Sequence, residues 1–410
     1  MKEPKIRFKG FSGEWKRSTL GDLALFSKGS GYSKSDICKE GTPVILYGRM
    51  YTKYQPVFDE IDTFVNPKDN SVVSKGGEVI IPGSGESSED ISLAAMVKNE
   101  GVILGGDLNI LKFNQKVNDP AFMSMTITYS PTRAELSSYS QGKTVVHLRN
   151  SEIAKGTIRY PDISEQNTIV NYVLSLDAQI SASTSRLASL KQMKAACLQA
   201  MFPQEGETVP KVRFKGFEGE WKKVKLSECL EISTERNLNN KYGVNEVLSV
   251  SDEEGVMNQI KLLGRSYAGK SVTNYKILRT NQVVYTKSPL KAKPYGIVKV
   301  NKGETGIVSV LYAVYDAKEC VSPDYIHYYF EPTFRINNYL LPLINKGAKN
   351  TMNISDEVSL QGDIILPNTL EEQLRIVEYL QTLDRQIALH AQLLEKLKQI
   401  KAACLDKMFV

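Results

Sequence analysis

Residues able to do chemistry occur in this chain of 410 amino acids, but they stand apart from one another. The sharpest match is Gly264-Arg-Ser-Tyr-Ala-Gly-Lys270-Ser271, which satisfies the phosphate-binding pattern GxxxxGK[ST]. That pattern works between a buried strand and a helix whose first amides point at phosphate. Here SVTNYKIL (271–278) follows and leans to strand, so nucleotide binding is not expected. The three histidines, His147, His327 and His390, are too scattered for a zinc cluster or a Ser–His triad. Cys38, Cys197, Cys229, Cys320 and Cys404 show no CxxC spacing. No dinucleotide-type GxGxxG follows a strand, and the NPPF and DPPY tetrapeptides of amino-methyltransferases are absent. GSGESSED (83–90) has the glycines of a phosphate loop, but its acids oppose phosphate. The chain reads as non-catalytic.

What remains are aromatic and basic loops. LYGRMYTKY (46–54) sets Arg49 and Lys53 among Tyr47, Tyr51 and Tyr54. YTKSPLKAKPYG (285–296) carries Lys287, Lys291, Lys293 and Tyr295. Two further loops, 138–148 and 344–354, place Lys143 beside Gly142, and Lys346, Lys349 and Asn350 around Gly347. Lysine and arginine can neutralise phosphates, and arginine and asparagine can also read base edges. Glycine lets backbone approach a phosphate closely. Arg49 is the first choice for a base contact. Taken singly, each stretch also reads as a solvated loop; their occurrence in corresponding halves of the chain favours the binding role.

That correspondence comes from an internal repeat. PKIRFKGFSGEWKR (4–17) returns as PKVRFKGFEGEWKK (210–223), and KAACLQAMF (194–202) returns as KAACLDKMF (401–409). The copies agree at their edges and differ in their middles. Length and repeat together predict two units of about 200 residues, each able to hold its own core. The formal net charge of +6 permits a nucleic-acid partner without requiring one. No apolar run is long enough to span a membrane. The N-terminal residues carry no signal core, and the unpaired cysteines suit a reduced, cytoplasmic protein.

The edges of each unit contain a long helical pattern. In 164–202, Ile169, Val173, Leu176, Ile180, Leu187 and Leu190 fall at alternating spacings of four and three once Ser183 fills the polar slot between Ile180 and Leu187, with Ser164 as the expected cap. The second copy gives Ile376, Leu380, Leu383, Ile387, Leu394 and Leu397. A helix of this length, roughly 57 Å, cannot bury its stripe alone. The two are expected to pair as an antiparallel coiled coil under pseudo-twofold symmetry, with His390 a polar seam residue. That register brings Lys194 to Asp384 and Lys401 to Asp177. The middles read as mixed α/β, of the α+β kind. Strands are expected over 76–82, 102–113, 281–286 and 306–315, and short helices over 120–129 and 323–330. The expected domains are 1–163, a helix 164–202, then 203–366 with its linker 203–210, and a helix 367–410.

In this arrangement the chain resembles the specificity subunits of type I restriction–modification systems. The resemblance covers the whole chain. It rests on the two PKxRFKGFxGEW segments, on the helices running from Pro161 to Phe202 and from Pro367 to Phe409, and on the order variable domain, helix, variable domain, helix. It implies that each middle is a target recognition domain reading one half of a split, asymmetric sequence in double-stranded DNA. It implies that the helix pair is a ruler on which two methyltransferase subunits dock. S-adenosylmethionine would belong to those subunits, and ATP and magnesium to two restriction subunits that translocate and cleave DNA. This chain would hold no cofactor or metal, act as a single copy, and supply address without catalysis. The alternative reading is a coiled-coil adaptor that binds protein and not DNA.

Overall fold

The structure, a computed structural model, describes residues 3–142, 144–269, 271–288, 290, 292–346 and 352–410. It divides into two compact units, Met1–Thr184 with Gln392–Val410, and Ser185–Ala391. The first long helix runs Ile163–Ala200 and the second Leu370–Lys407, so each helix begins in one unit and ends in the other. Ser164 lies inside the first turn and not at the cap: the amides of Glu165 and Gln166 bond back to the Asp162 carbonyl. Proline at 161 bars an earlier start, and the carbonyl that closes the first turn falls one residue after it.

In the first unit a five-stranded sheet has the order Ala24–Lys28, Leu108–Phe113, Glu78–Pro82, Ala95–Val97, Val57–Phe58. A second sheet of five is ordered Ile37–Cys38, Phe64–Val65, Thr42–Ile45, Glu100–Leu104, Val73–Lys75. The strand expected over 102–113 is therefore two strands in two sheets, broken at Gly105–Asp107. Asp107 stands at φ 59°, the left-handed conformation that lets the chain turn there. In the second unit the main sheet is ordered Leu230–Ile232, Ala313–Ala317, Val283–Tyr285, Val298–Val300. The stretch 306–315 is likewise split, between Gly306–Val308 and Ala313–Ala317. The helices Pro120–Tyr129 and Pro323–Phe330 both open on proline, whose missing amide costs nothing at a first turn.

The repeated segment acts as a clasp. In the first unit Arg7 donates to both carboxylate oxygens of Glu165, at 2.7 and 2.8 Å, and to the carbonyls of Gly13 and Ser12. Gly10 and Gly13, at φ 103° and 87°, bend the chain around the guanidinium. The Ile6 amide donates to the carbonyl of Lys407, in the last turn of the second helix. The start of one helix and the end of the other are thus held together, and Lys401 reaches Asp177 a few turns along. Those contacts make the two helical segments antiparallel within this unit. Ile169, Val173 and Leu176 share its core with Leu397, Cys404, Met408 and Phe409.

The second unit repeats every contact with its own residues. Arg213 holds Glu372 at 2.7 and 2.9 Å and the carbonyls of Gly219 and Glu218. Val212 donates to the Ala200 carbonyl, and Lys194 meets Asp384 at 2.6 Å. Leu190, Leu198 and Phe202 pack with Ile376, Leu380 and Leu383. The residue after each buried glutamate is also committed. Gln166 accepts from the Asp119 amide, and Gln373 accepts from the Ser322 amide, which ties each helix start to the loop before a domain helix.

Glu165 is almost wholly enclosed, so its charge depends on Arg7. Arg7→Met strands that carboxylate and should cost about 3 kcal/mol of stability, while Arg7→Met combined with Glu165→Met should recover most of the loss. Denaturant unfolding of the three chains measures both.

Candidate nucleic-acid interface

The antiparallel ladders bring three strand ends to one edge of the main sheet in the first unit. Lys28 lies opposite Asn109, and Leu108 opposite Pro82. Three glycine loops, 28–31, 82–85 and 104–107, therefore meet there. They pack backbone on backbone: a Cβ on Gly29 would lie 1.9 Å from the Gly105 carbonyl oxygen. Gly83 donates to the Asp107 carbonyl, and the Ser84 hydroxyl donates to the Asp107 carboxylate at 2.7 Å. Val146 and His147 pair with Gly85 and Ser84. Asn109, fully buried, donates to the carbonyls of Pro82 and Leu148 and locks this second loop onto the first.

Tyr51 and Tyr47 join this loop edge. Tyr51 donates to the Ser84 carbonyl at 2.7 Å, its hydroxyl held protonated by burial, and Tyr47 stands edge-on to it at 6.2 Å with its ring exposed. Arg49 and Lys53 turn to Asp62 instead, and both donate to its carboxylate. Those bonds, Lys53 first and then Arg49, hold the Asp62 carboxyl well below its usual range. Arg49 also donates to the Glu60 carbonyl and lies over the Phe58 ring. The base-reading choice thus starts from a guanidinium already bonded within the chain. Position 143 lies outside the described residues.

At the corresponding edge of the second unit, Lys287 takes a left-handed conformation, φ 50°, and donates to Asp356 at 2.5 Å. Lys276 donates to the other oxygen of the same carboxylate. Burial pushes the Asp356 carboxyl up, but the bonds from the two lysines outweigh it and keep the group below its usual range. Asn345–Lys346 and Met352–Asn353 form a hairpin that leads to this aspartate. Lys346 is placed there by its backbone, while Lys291, Lys349 and Asn350 lie outside the described residues. Lys293 turns away from Asp356. It donates to the Glu331 carbonyl, meets Asp252 at 3.2 Å, and lines a cleft of about 1050 Å³ with Lys194, Lys299 and Asp384. Tyr295 packs half-buried against the core, its carbonyl accepting from Tyr285.

Lys270 of the nucleotide-loop look-alike lies outside the described residues. Gly264, at φ 75°, closes the short helix Gln259–Leu263, and the chain beyond Ser271 enters the strand Lys276–Leu278. Among the described residues, no helix starts where the pattern would need one. Among the described residues, no group of three or more His, Cys, Asp or Glu side chains could hold a metal ion, and no helix is long and apolar enough to cross a membrane. The residues at the loop edge that sequence reading passed over are Lys28, Ser84, Asp107 and Arg149. The signal for Lys28, Ser84 and Asp107 was a glycine loop at each strand end, KGSG, PGSG and LGGD, while Arg149 stands in none of them.

The family profile described as the type I restriction modification DNA specificity domain matches the chain twice, over residues 12–192 and 218–399. Among solved structures, the type I restriction-modification S subunit from M. genitalium is similar with a TM-score of 0.58 at 12% identity, covering 100% of this chain and 99% of that one. The HsdS subunit from Thermoanaerobacter tengcongensis gives a TM-score of 0.48 at 18% identity, with coverage of 100% and 99%. The first likeness shows the fold. No curated protein sequence gives a significant match.

The loop edge depends on bare backbone at Gly29. Gly29→Ala should cost about 3 kcal/mol, because the methyl group meets a carbonyl oxygen that cannot move aside. Gly31→Ala, where a Cβ meets nothing within 4 Å, should stay close to the parent in the same denaturant titration.

Proposed function

The chain belongs to the type I restriction–modification DNA specificity family, and we propose that it is the subunit that tells a methyltransferase complex where on double-stranded DNA to act. The observation that carries this reading is one scaffold bearing two unlike loop edges. The clasps match contact for contact, whereas one edge carries Tyr47, Tyr51 and three glycine loops and the other buries Lys276 and Lys287 against Asp356. Two different edges read two different half-sites, so the target is bipartite and asymmetric.

Side chains at each edge contact phosphates to set position, and a few reach base edges to set sequence. For Arg49 to read a base, its guanidinium must trade Asp62 for the base, so Asp62 tunes the cost of a wrong partner. Tyr47, Tyr51 and Lys53 are assigned to the first reader and Lys287 to the second, and Lys143, Lys346, Lys349 and Asn350 are assigned to them from the sequence alone. Lys291, Lys293 and Tyr295 are assigned to DNA contact in the second reader on the same sequence ground. The long helices, each continuous over 38 residues, act as the spacer between half-sites and as the seat of two methyltransferase subunits. S-adenosylmethionine is bound by those subunits, and ATP and magnesium by restriction subunits when these join. One copy of this chain serves the complex and performs no chemistry.

Adenine methylation mapped across the genome tests the reading, in cells carrying this gene with its methyltransferase partner and in cells lacking it. A split, asymmetric methylated sequence that vanishes with the gene is expected. An unchanged methylation map with the partner expressed would overturn the role and favour the protein adaptor.

A further inference from the structure

We propose that Lys28 and Arg149 form a two-cation grip for one DNA backbone phosphate at the loop edge of the first unit. The inference rests on the DNA-reading role above and assigns a contact within it. The two residues are brought together by backbone. The Leu148 amide donates to the Gly83 carbonyl, and Asn150 donates to the Ser27 carbonyl at 2.9 Å, so the neighbours of Arg149 are tied to residues beside Lys28. The Lys28 amine lies over Gly83, 3.2 Å from where a Cβ there would stand. Among the described residues neither cation makes a hydrogen bond, an ion pair or a ring contact, and both residues are exposed.

This differs from the other candidate cations of the two edges. Arg49 and Lys53 share Asp62, Lys276 and Lys287 share Asp356, and Lys293 has Asp252. The nearby acid, Asp107, already accepts from the Ser84 hydroxyl. Partial burial of the Lys28 amine and the repulsion from Arg149 both lower its proton affinity, against the pull of Asp107. Two like charges held close by a rigid edge are relieved by an oxyanion that accepts from both. A phosphodiester has two such oxygens, and the planar guanidinium suits them.

The second unit does not repeat the grip. The strand ladders place Thr234 where Lys28 stands and Lys287 where Gly83 stands, and the repeat places Asp356 where Asn150 stands. An amine there is cancelled by a carboxylate of its own chain. The grip is thus specific to the first reader and sets position, not sequence.

The test uses the complex of this chain with its methyltransferase subunits and a duplex carrying its methylated sequence. Affinity is measured against salt for the parent, for Lys28→Gln with Arg149→Gln, and for the charge-keeping pair Lys28→Arg with Arg149→Lys. The glutamine pair should lower the slope of log affinity against log salt by about one, with the methylated sequence unchanged. The charge-keeping pair should retain the parent slope. Melting temperatures check that the exposed substitutions leave folding intact; if the double variant melts early, Lys28→Gln alone is measured, and it should still weaken binding and flatten the slope. A parent complex without affinity for the duplex would overturn the DNA-reading role itself. A parent that binds, beside a glutamine pair with the parent's affinity and slope, would overturn the grip alone. So would a glutamine pair that methylates a different half-site, since the cations would then read bases.

Discussion

A buried carboxylate at the start of each long helix governs this architecture. Glu165 and Glu372 sit in the first turn, where the helix dipole favours negative charge, yet both are shut away from water. A charge in that position requires a partner. Arg7 and Arg213 supply it, and each brings a glycine-bent turn whose carbonyls satisfy the remaining guanidinium protons. The residue before each arginine then bonds the last turn of the other helix. One ion pair therefore decides where a helix starts, which helix end lies beside it, and which way the two run within a unit.

The aromatic residues of the repeat follow from the same constraint. Phe8 meets Tyr172 and Phe214 meets Tyr379, each edge-on, just beyond the clasp. Trp15 packs on Phe122, and Phe409 inserts beside them; Trp221 and Phe202 do the same with Tyr325. Each domain core is thus closed by a helix end that belongs to the other half of the sequence. With the frame fixed this firmly, the loop edges can differ without endangering the fold. They differ mainly in charge pairing: the second edge buries two lysines on one aspartate, whereas the first pairs Arg49 and Lys53 with the exposed Asp62 and, among the described residues, leaves Lys28 and Arg149 without such a partner.

Much of the frame was legible because it is periodic and repeated. The heptad seam located both long helices within a few residues, and equal offsets gave the pairs Lys194–Asp384 and Lys401–Asp177. Glu165 carries no local sign of burial, because the residue that encloses and neutralises it, Arg7, lies 158 positions away. The split of 102–113 was hidden for a related reason: Gly105 and Gly106 sit in an apolar stretch, and only the left-handed Asp107 reveals the turn. At the candidate site, residue type pointed to cations but not to their partners. Asp62, 13 residues from Arg49 and 9 from Lys53, and Asp356, 69 residues from Lys287, decide which of those cations are already bonded.

The account makes the helices the spacer between two independent readers. Inserting one heptad at matching positions of both long helices tests this directly, with adenine methylation of the genome as the readout. Seven residues add about 10 Å of helix, which corresponds to about three base pairs at roughly 34 Å per DNA turn. The account predicts the same two half-site sequences separated by a correspondingly longer spacer. Methylation with altered half-site bases, or with the original spacing, would contradict it.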